Sequence, residues 1–534
     1  MSSSPANSAH IQVKAPYLQL VIVLLGSFMA ILDTSVVNVA IPKMEVALNT
    51  NTSSIQWVLT GYMLVTGIIV PTSGWLIDTL GPKKLLIFSL IVFTVASALC
   101  GVAWNLSSII AFRILQAIGG GLLQPVAQTI IYRIFPRERI GAVMGLFGVT
   151  IMAAPAFGPL LSGYFVEYSS WRLIFFVNVP IGIVAIFMAI VFMHEFSHEA
   201  KASLDVLGLT LSTIGFFALL YGFNNVPDHG WGSTIVRGSV AVGAVSLICL
   251  VITELRVKNP LLQLRVLTNY TYTVSLIIVS LLNVALFVGI FLLPLYLQNI
   301  MGYTPMRSGM FMTPAALASA VMMPISGRLF DKIGARPLGL IGLGILTVST
   351  FGFTFLTTES TSSHIQFLYI VRSVGMGLAM MPIMTAGTTA LVAVAPQLVS
   401  QAAAVNNTVR QVASGLGTAL LTVYMSKREI IRSAQLSSQM NPGSPQGLQL
   451  TGLTDKLAAS GLSPAAAHSQ AISLIYARIQ KNGFVLGMND TFFISTILAG
   501  VAWAITIFIY RGKRQKRPAP VNQARGQQQS LAVE

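Results

Sequence analysis

Long apolar runs separated by short polar loops set the pattern of this chain. Fourteen runs stand out, at 17–41, 55–77, 84–103, 107–132, 140–165, 171–193, 204–224, 235–253, 271–297, 305–330, 337–357, 365–395, 402–425 and 486–510. Each suits a helix crossing a hydrocarbon core about 30 Å thick, which takes roughly 20 apolar residues. One polar turn occurs twice. Gly74-Trp75-Leu76-Ile77-Asp78-Thr79-Leu80-Gly81 and Gly327-Arg328-Leu329-Phe330-Asp331-Lys332-Ile333-Gly334 both read G-x-L-x-D-x-x-G, 253 residues apart. Arg113, early in span four, and Arg372, early in span twelve, are 259 apart. The shared offset is eight spans, so the pattern predicts two related six-span halves with two extra spans between them. It divides the chain into a tail (1–16), a first bundle (17–193), a two-span linker (194–253), a second bundle (254–510) and a basic tail (511–534).

Composition agrees with an all-α membrane protein. Of 534 residues, 54% are hydrophobic and 9% charged, against about 25% charged in soluble domains. The net charge of +16 does not indicate nucleic acid, because the basic residues gather at span ends on one side. Lys83, Lys84, Arg133, Arg137, Arg139, Arg256, Lys258, Arg265, Lys332, Arg336 and the Arg511–Arg517 tail share that side. The positive-inside rule makes it cytoplasmic, with both termini there. Lys43 and Arg307 are exceptions. Cys100 and Cys249 both lie in apolar runs, which supports neither a disulfide framework nor a Cys zinc site. The polar N-terminus leads into a run too long for a cleaved signal peptide. The long loop 426–485 is expected outside, with a helix starting at Ser463-Pro464 and Ile472, Ile475 and Ile479 at helical spacing. It reads either as a helix on the outer membrane face or a partner, or as a plain amphipathic connector.

Asp33 is the one acid well inside a span. A charge at that depth is expensive and marks a functional cavity, the bland alternative being a fixed ion pair. Arg113 falls at a similar depth, and a guanidinium beside a carboxylate lowers its pKa. The pair is therefore the candidate proton-coupling device; alternatively, Arg113 ties down backbone carbonyls. Gln116, Gly120, Gln124 and Gln128 continue one face of the Arg113 helix and are expected to line a cavity. Asn38, Gln56, Trp57, Tyr62, Asn283 and Gln298 are candidate additions to its wall, with Trp57 also readable as an interface anchor. Gly145, Pro155, Gly158, Pro159 and Gly163 in span five predict a kinked, close-packed seam. The turn residues Gly74, Asp78, Gly81, Lys83, Gly327, Asp331 and Gly334 are candidate gate residues. His194-Glu195-Phe196-Ser197-His198 matches H-E-x-x-H, with Asp205 as a conceivable third ligand. A zinc metalloprotease is thus the remote rival, though the copy sits at a span end and otherwise reads as a charged linker. Gly119-Gly120-Gly121 is mid-span and is no nucleotide loop.

These stretches resemble the major facilitator superfamily, and more closely its EmrB/QacA-type fourteen-span drug:proton antiporters. The likeness runs from about residue 18 to 425. It rests on Leu32 to Pro42, Gly74 to Lys84, Arg113 with Gln116 and Gly119 to Gly121, Gly145 to Gly163, Trp171 to Gly182, and Asn406 to Gln411. Ala154 and Ser162 stand where that motif has glycines. The resemblance implies the major facilitator fold and a proton-driven multidrug exporter of lipophilic or cationic compounds working by alternating access. In that reading Asp33 carries the proton or meets the drug, and Arg113 assists release. The two turns then lock the cytoplasmic side, their Asp meeting a helix N-terminus. It implies no enzyme, no cofactor or metal beyond the proton gradient, a multi-pass location in the cytoplasmic membrane, and a monomer. A periplasmic adaptor protein is a candidate partner, since some relatives use one. An endogenous lipid, antibiotic or metabolite is the alternative cargo. Spans nine to thirteen hold no deep Asp or Glu, which disfavours doubly cationic substrates.

Overall fold

The computed structural model describes residues 15–196, 205–257, 260–438 and 445–509. Its long helices, in chain order, are α1 (Pro16–Ala47), α2 (Trp57–Leu80), α3 (Pro82–Gly101), α4 (Leu106–Ile134), α5 (Ile140–Tyr168) and α6 (Leu173–Phe192). Then come α7 (Val206–Asn224), α8 (Thr234–Arg256), α9 (Tyr270–Asn299), α10 (Pro305–Ile333), α11 (Ala335–Gly352) and α12 (Ser362–Val394). The last three are α13 (Val399–Ser438), α14 (Pro445–Ala459) and α15 (Pro464–Thr506). Thirteen are long and apolar enough to cross a membrane among the described residues. The exception of membrane length is α13, which carries Asn406, Asn407, Arg410 and Gln411 yet packs against α2, α4, α9 and α15. Its polar face is turned to protein, so it needs no apolar girdle.

Helices α1 to α6 pack among themselves, as do α9 to α13 with α15. The two bundles meet chiefly through α5 against α10 and α2 against α13. The hairpin α7–α8 lies outside both, with α7 touching α2 and α13. Leu220 of α7 sits so close to Gly67 and Gly415 that a Cβ on either would come within 2.6 and 2.7 Å of it.

Segment 426–485 departs most from the expected loop. At 1.5 Å per residue, α13 and α15 are each about 60 Å long, roughly twice a hydrocarbon core. They continue beyond the membrane and, with α14 between them, form a projecting helical cap. Ser463 accepts a hydrogen bond from Ala466 N–H and Pro464 opens α15, as the sequence indicates. Ala467, Ala471, Ile475 and Ile479 make a buried stripe, but Ile472 is 45% exposed and lies off it. Asp490 of α15 holds Arg428 (2.6 Å) and Arg432 (3.0 Å) of α13 where the cap leaves the bundle.

The described part of the H-E-x-x-H segment, His194 to Phe196, is not helical. Helix α6 ends at Phe192, and His194, Glu195 and Phe196 are irregular. Glu195 pairs instead with Lys84 at 3.8 Å on the surface. Ser197 and His198 lie outside the described residues, as do Lys258, the N-terminal tail and the C-terminal basic tail. Among the described residues, no group of three potential metal ligands is found.

Candidate functional site

Asp33 and Arg113 are brought into direct contact, both about 1% exposed. The carboxylate is saturated. Arg113 donates to Oδ2, and Gln116 Nε2 (2.9 Å) and Asn178 Nδ2 (3.2 Å) donate to Oδ1. Arg113 also donates to Gln116 Oε1 (2.7 Å) and to the Val58 carbonyl (3.3 Å), and stands 4.2 Å over the Tyr62 ring. Four helices supply this cluster: α1, α2, α4 and α6. Arg113 and Gln116 are one turn apart on α4, so they reach the same carboxylate. Behind Gln116, Ser97 of α3 accepts a hydrogen bond at 2.7 Å. A buried ion pair is tolerable only when its remaining hydrogen-bond capacity is met, and here every oxygen of Asp33 is engaged.

Two expected wall residues therefore belong elsewhere. Tyr62 and Gln116 are buried parts of the Asp33 cluster rather than cavity surface. Gln124 and Gln128 join the bundles instead of facing open space. Gln124 Oε1 accepts from Arg410 of α13, and Gln128 Oε1 accepts from Asn407 Nδ2 at 3.0 Å. Trp57 packs on Tyr221 of α7, ring centroids 6.2 Å apart. Asn38 and Gln56 are exposed, while Asn283 and Gln298 are half-buried on α9.

The duplicated turns converge at the end of the molecule where the basic loops lie, and each reaches across to the other bundle. Asp331 accepts hydrogen bonds from Gly141 N–H (2.9 Å) and Ala142 N–H (3.0 Å) in the first turn of α5. Those amides have no partner inside their own helix, and the positive end of the helix dipole favours the carboxylate. Asp78 accepts from Ser400 and from Gln401 Nε2 (3.0 Å) in the first turn of α13, with Arg133 at 3.8 Å. Arg133 is the cation that the structure brings beside Asp78. Lys83 stands half-buried on the first turn of α3. The closing glycines Gly81 and Gly334 both have φ +81°, which side chains rarely adopt. Gly327 meets Gly141 backbone to backbone, and a Cβ there would come within 2.2 Å of the Gly141 carbonyl oxygen.

The span-five seam serves two partners. Gly158 lies against Ser35 of α1, whose hydroxyl donates to the Pro155 carbonyl at 3.3 Å. Gly145 lies against the Met323 carbonyl of α10, and Gly163 near Met306. The Pro159 side chain lies outside what is described. In the second bundle Arg372 occupies the place corresponding to Arg113. Its acceptors are the Ala285 (3.2 Å) and Leu286 (3.5 Å) carbonyls and the Thr350 hydroxyl (3.3 Å), with no carboxylate among the described residues.

Sequence reasoning missed Asn178, Arg133, Ser400, Gln401, Asn407 and Arg410. Asn178, Asn407 and Arg410 fall in recognised stretches, and a polar side chain within an otherwise apolar run was the available signal. Ser400 and Gln401 open α13, and nothing local marks them as partners of Asp78.

A profile of the Major Facilitator Superfamily matches residues 23–418. The chain is 37% identical over 505 residues to the uncharacterized MFS-type transporter YhcA of Bacillus subtilis, covering 94% of each. It is 33% identical to the lincomycin resistance protein LmrB of the same organism, covering 79% of this chain and 87% of that one. It is 29% identical to the multidrug export protein EmrB of Escherichia coli, covering 90% and 93%. The fold is similar to that of the proton:xylose symporter XylE, with TM-score 0.56 and 13% identity over 93% of this chain and 96% of that one. With the helical bundles, the paired turns and the profile in agreement, this chain belongs to the Major Facilitator Superfamily and is a multi-pass membrane transporter.

Proposed function

We propose that the protein is a proton-coupled exporter of lipophilic compounds working by alternating access, with Asp33 as the proton carrier. The observation that carries this reading is the buried cluster around Asp33. A lone carboxylate at that depth is saturated by Arg113, Gln116 and Asn178. Moving any one of α1, α4 or α6 would strip it of donors. The coupling is therefore geometric: helix movement makes or breaks the donor set around Asp33. The relatives named for multidrug export and lincomycin resistance support drug-like cargo. The positive-inside rule assigns the basic face to the cytoplasm. The contacts of Asp78 and Asp331 close that face, so the conformation is read as outward-facing. Coupling is assigned to the first bundle alone, because Arg372 is tied to carbonyls and has no matching acid among the described residues.

Proteoliposomes with a pH gradient and a drug panel test the reading. Asp33→Asn is expected to abolish gradient-driven transport. Because this leaves Arg113 buried without its anion, at a cost of about 3–5 kcal/mol, the double variant Asp33→Asn/Arg113→Gln is the folded control. It too should bind drug without gradient-driven transport. Undiminished uphill transport by either variant would sink the proposal.

A further inference from the structure

We propose that Arg410 recognises an anion, so that the transported compound is a lipophilic molecule carrying a single negative charge, such as a carboxylate. This rests on the export reading above and names the substrate class of its central site. The interiors of the two bundles hold Arg113, Arg372 and Arg410 but only one acid, Asp33, among the described residues. Arg113 is neutralised by Asp33, and Arg372 is held within the second bundle by two carbonyls and a hydroxyl. Arg410 has neither arrangement. Its acceptors are two neutral amides, Gln124 Oε1 of α4 and Asn407 Oδ1 (3.0 Å) one turn away on α13.

Position adds to the case. Arg410 is about 16 Å along α13 from Val399, and Gln124 is about 15 Å along α4 from Ile134, at 1.5 Å per residue. Both measurements start at the basic face and end near mid-membrane, on the seam between bundles. An unneutralised cation at that depth is costly and marks a ligand or ion path. A second observation points the same way. Gln128, 2% exposed, receives Asn407 on its oxygen, but its Nε2 has no hydrogen-bond partner. A buried donor without an acceptor thus adjoins, through Asn407, a guanidinium without an anion. A carboxylate meets both needs, whereas a substrate cation meets neither. Gln124 belongs to one bundle and Arg410 to the other, so parting the bundles at the basic face frees the guanidinium there.

The test is equilibrium binding of a matched probe set to the full chain in lipid nanodiscs. The probes are 1-pyrenebutanoate, its neutral amide and the trimethylammonium analogue, read by tryptophan-to-pyrene energy transfer with empty nanodiscs subtracted. Wild type is expected to prefer the anion. Arg410→Gln should weaken the anion about 10-fold to 100-fold, the worth of a charge-assisted hydrogen bond, and leave the amide within about threefold. Arg410→Lys should retain part of the preference, because the charge remains. Gln124→Ala should keep or tighten anion binding, since it removes only the competing acceptor. Equal weakening of all three probes in Arg410→Gln, weaker anion binding in Gln124→Ala, or a wild type that does not favour the anion overturns the proposal. Binding needs no gradient, so failure of the proton-coupling reading would show separately, in the Asp33 variants.

Discussion

The surroundings of Arg113 and Arg372 show what partners do to a buried charge. Asp33 meets Arg113, Gln116 and Asn178, a set whose cohesion depends on helix positions. Arg372 meets main-chain carbonyls and a hydroxyl, none of which changes charge. Arginine at corresponding places thus pairs with an acid in one bundle (Arg113) and with neutral acceptors in the other (Arg372); the proposed function makes the first a coupling element and the second a fastener. The space around Arg113 depends on Gly120. A Cβ there would come within 2.3 Å of the Tyr62 hydroxyl, whereas one on Gly121 would meet its nearest atom at an ordinary 3.4 Å. Gly120→Ala should displace Tyr62 from its place beside Arg113 and cost about 1–3 kcal/mol as overpacking. Gly121→Ala should be close to neutral. Thermal unfolding of the two variants side by side, with transport activity, checks the contrast; equal effects would show that Tyr62 does not set the space.

Among the elements, α13 is the most polar of the long helices. Its polar residues face α2 and α4 across the seam, where an amide or guanidinium finds partners and lipid never reaches it. Beyond the membrane its continuation is tied to α15 by Asp490, which bridges Arg428 and Arg432. The groups are partly exposed, so solvent screening limits their worth. Asp490→Asn is expected to lower stability by about 1 kcal/mol and to loosen the cap. Faster amide hydrogen exchange in 428–438 and 464–490, with the bundle interior unchanged, is the measurement. Unchanged protection there would show that the buried stripe of α15 holds the cap alone.

For the whole molecule, the proposed function makes the two turns a pair of latches, and their backbones are unequal. At the first, a Cβ on Gly74 would come within 2.9 Å of the end of the Gln401 side chain, which can move aside. At the second, Gly327 and Gly141 leave no such freedom. Asp331→Asn removes the charge that faces the α5 N-terminus, worth about 0.3–1 kcal/mol at a surface. Gly327→Ala forces the main chains apart. Both should shift the population toward a conformation open at the basic face, with Gly327→Ala stronger than Gly74→Ala. Spin-label distances between positions 137 and 394 in the four proteins would report this as a longer component. Identical distributions in all four would mean that the latches do not hold the state.

The sequence by itself determined the all-helical membrane architecture, the repeat, the charged side and the pairing of Asp33 with Arg113. These follow from local quantities: the length of apolar runs, the spacing of rare polar residues, and the Lys and Arg content of loops. Helix pitch alone brought Arg113 and Gln116 to one face, and a charge inside a span is conspicuous in the letters. The meeting of a turn Asp with a helix N-terminus came from the family resemblance, and the helix dipole supplies its reason. Tertiary structure decided which partner each group received. Asn178 joined Asp33, Arg133 came beside Asp78, Gln124 and Gln128 bridged the two bundles, and Arg410 was left facing amides. Loop 426–485 became the continuation of two helices, because a buried stripe on α15 had α13 and α14 to pack against. The bridges between α4 and α13 depend on residues nearly 300 positions apart arriving at the same depth. No local pattern encodes that depth; the packing of the two bundles sets it.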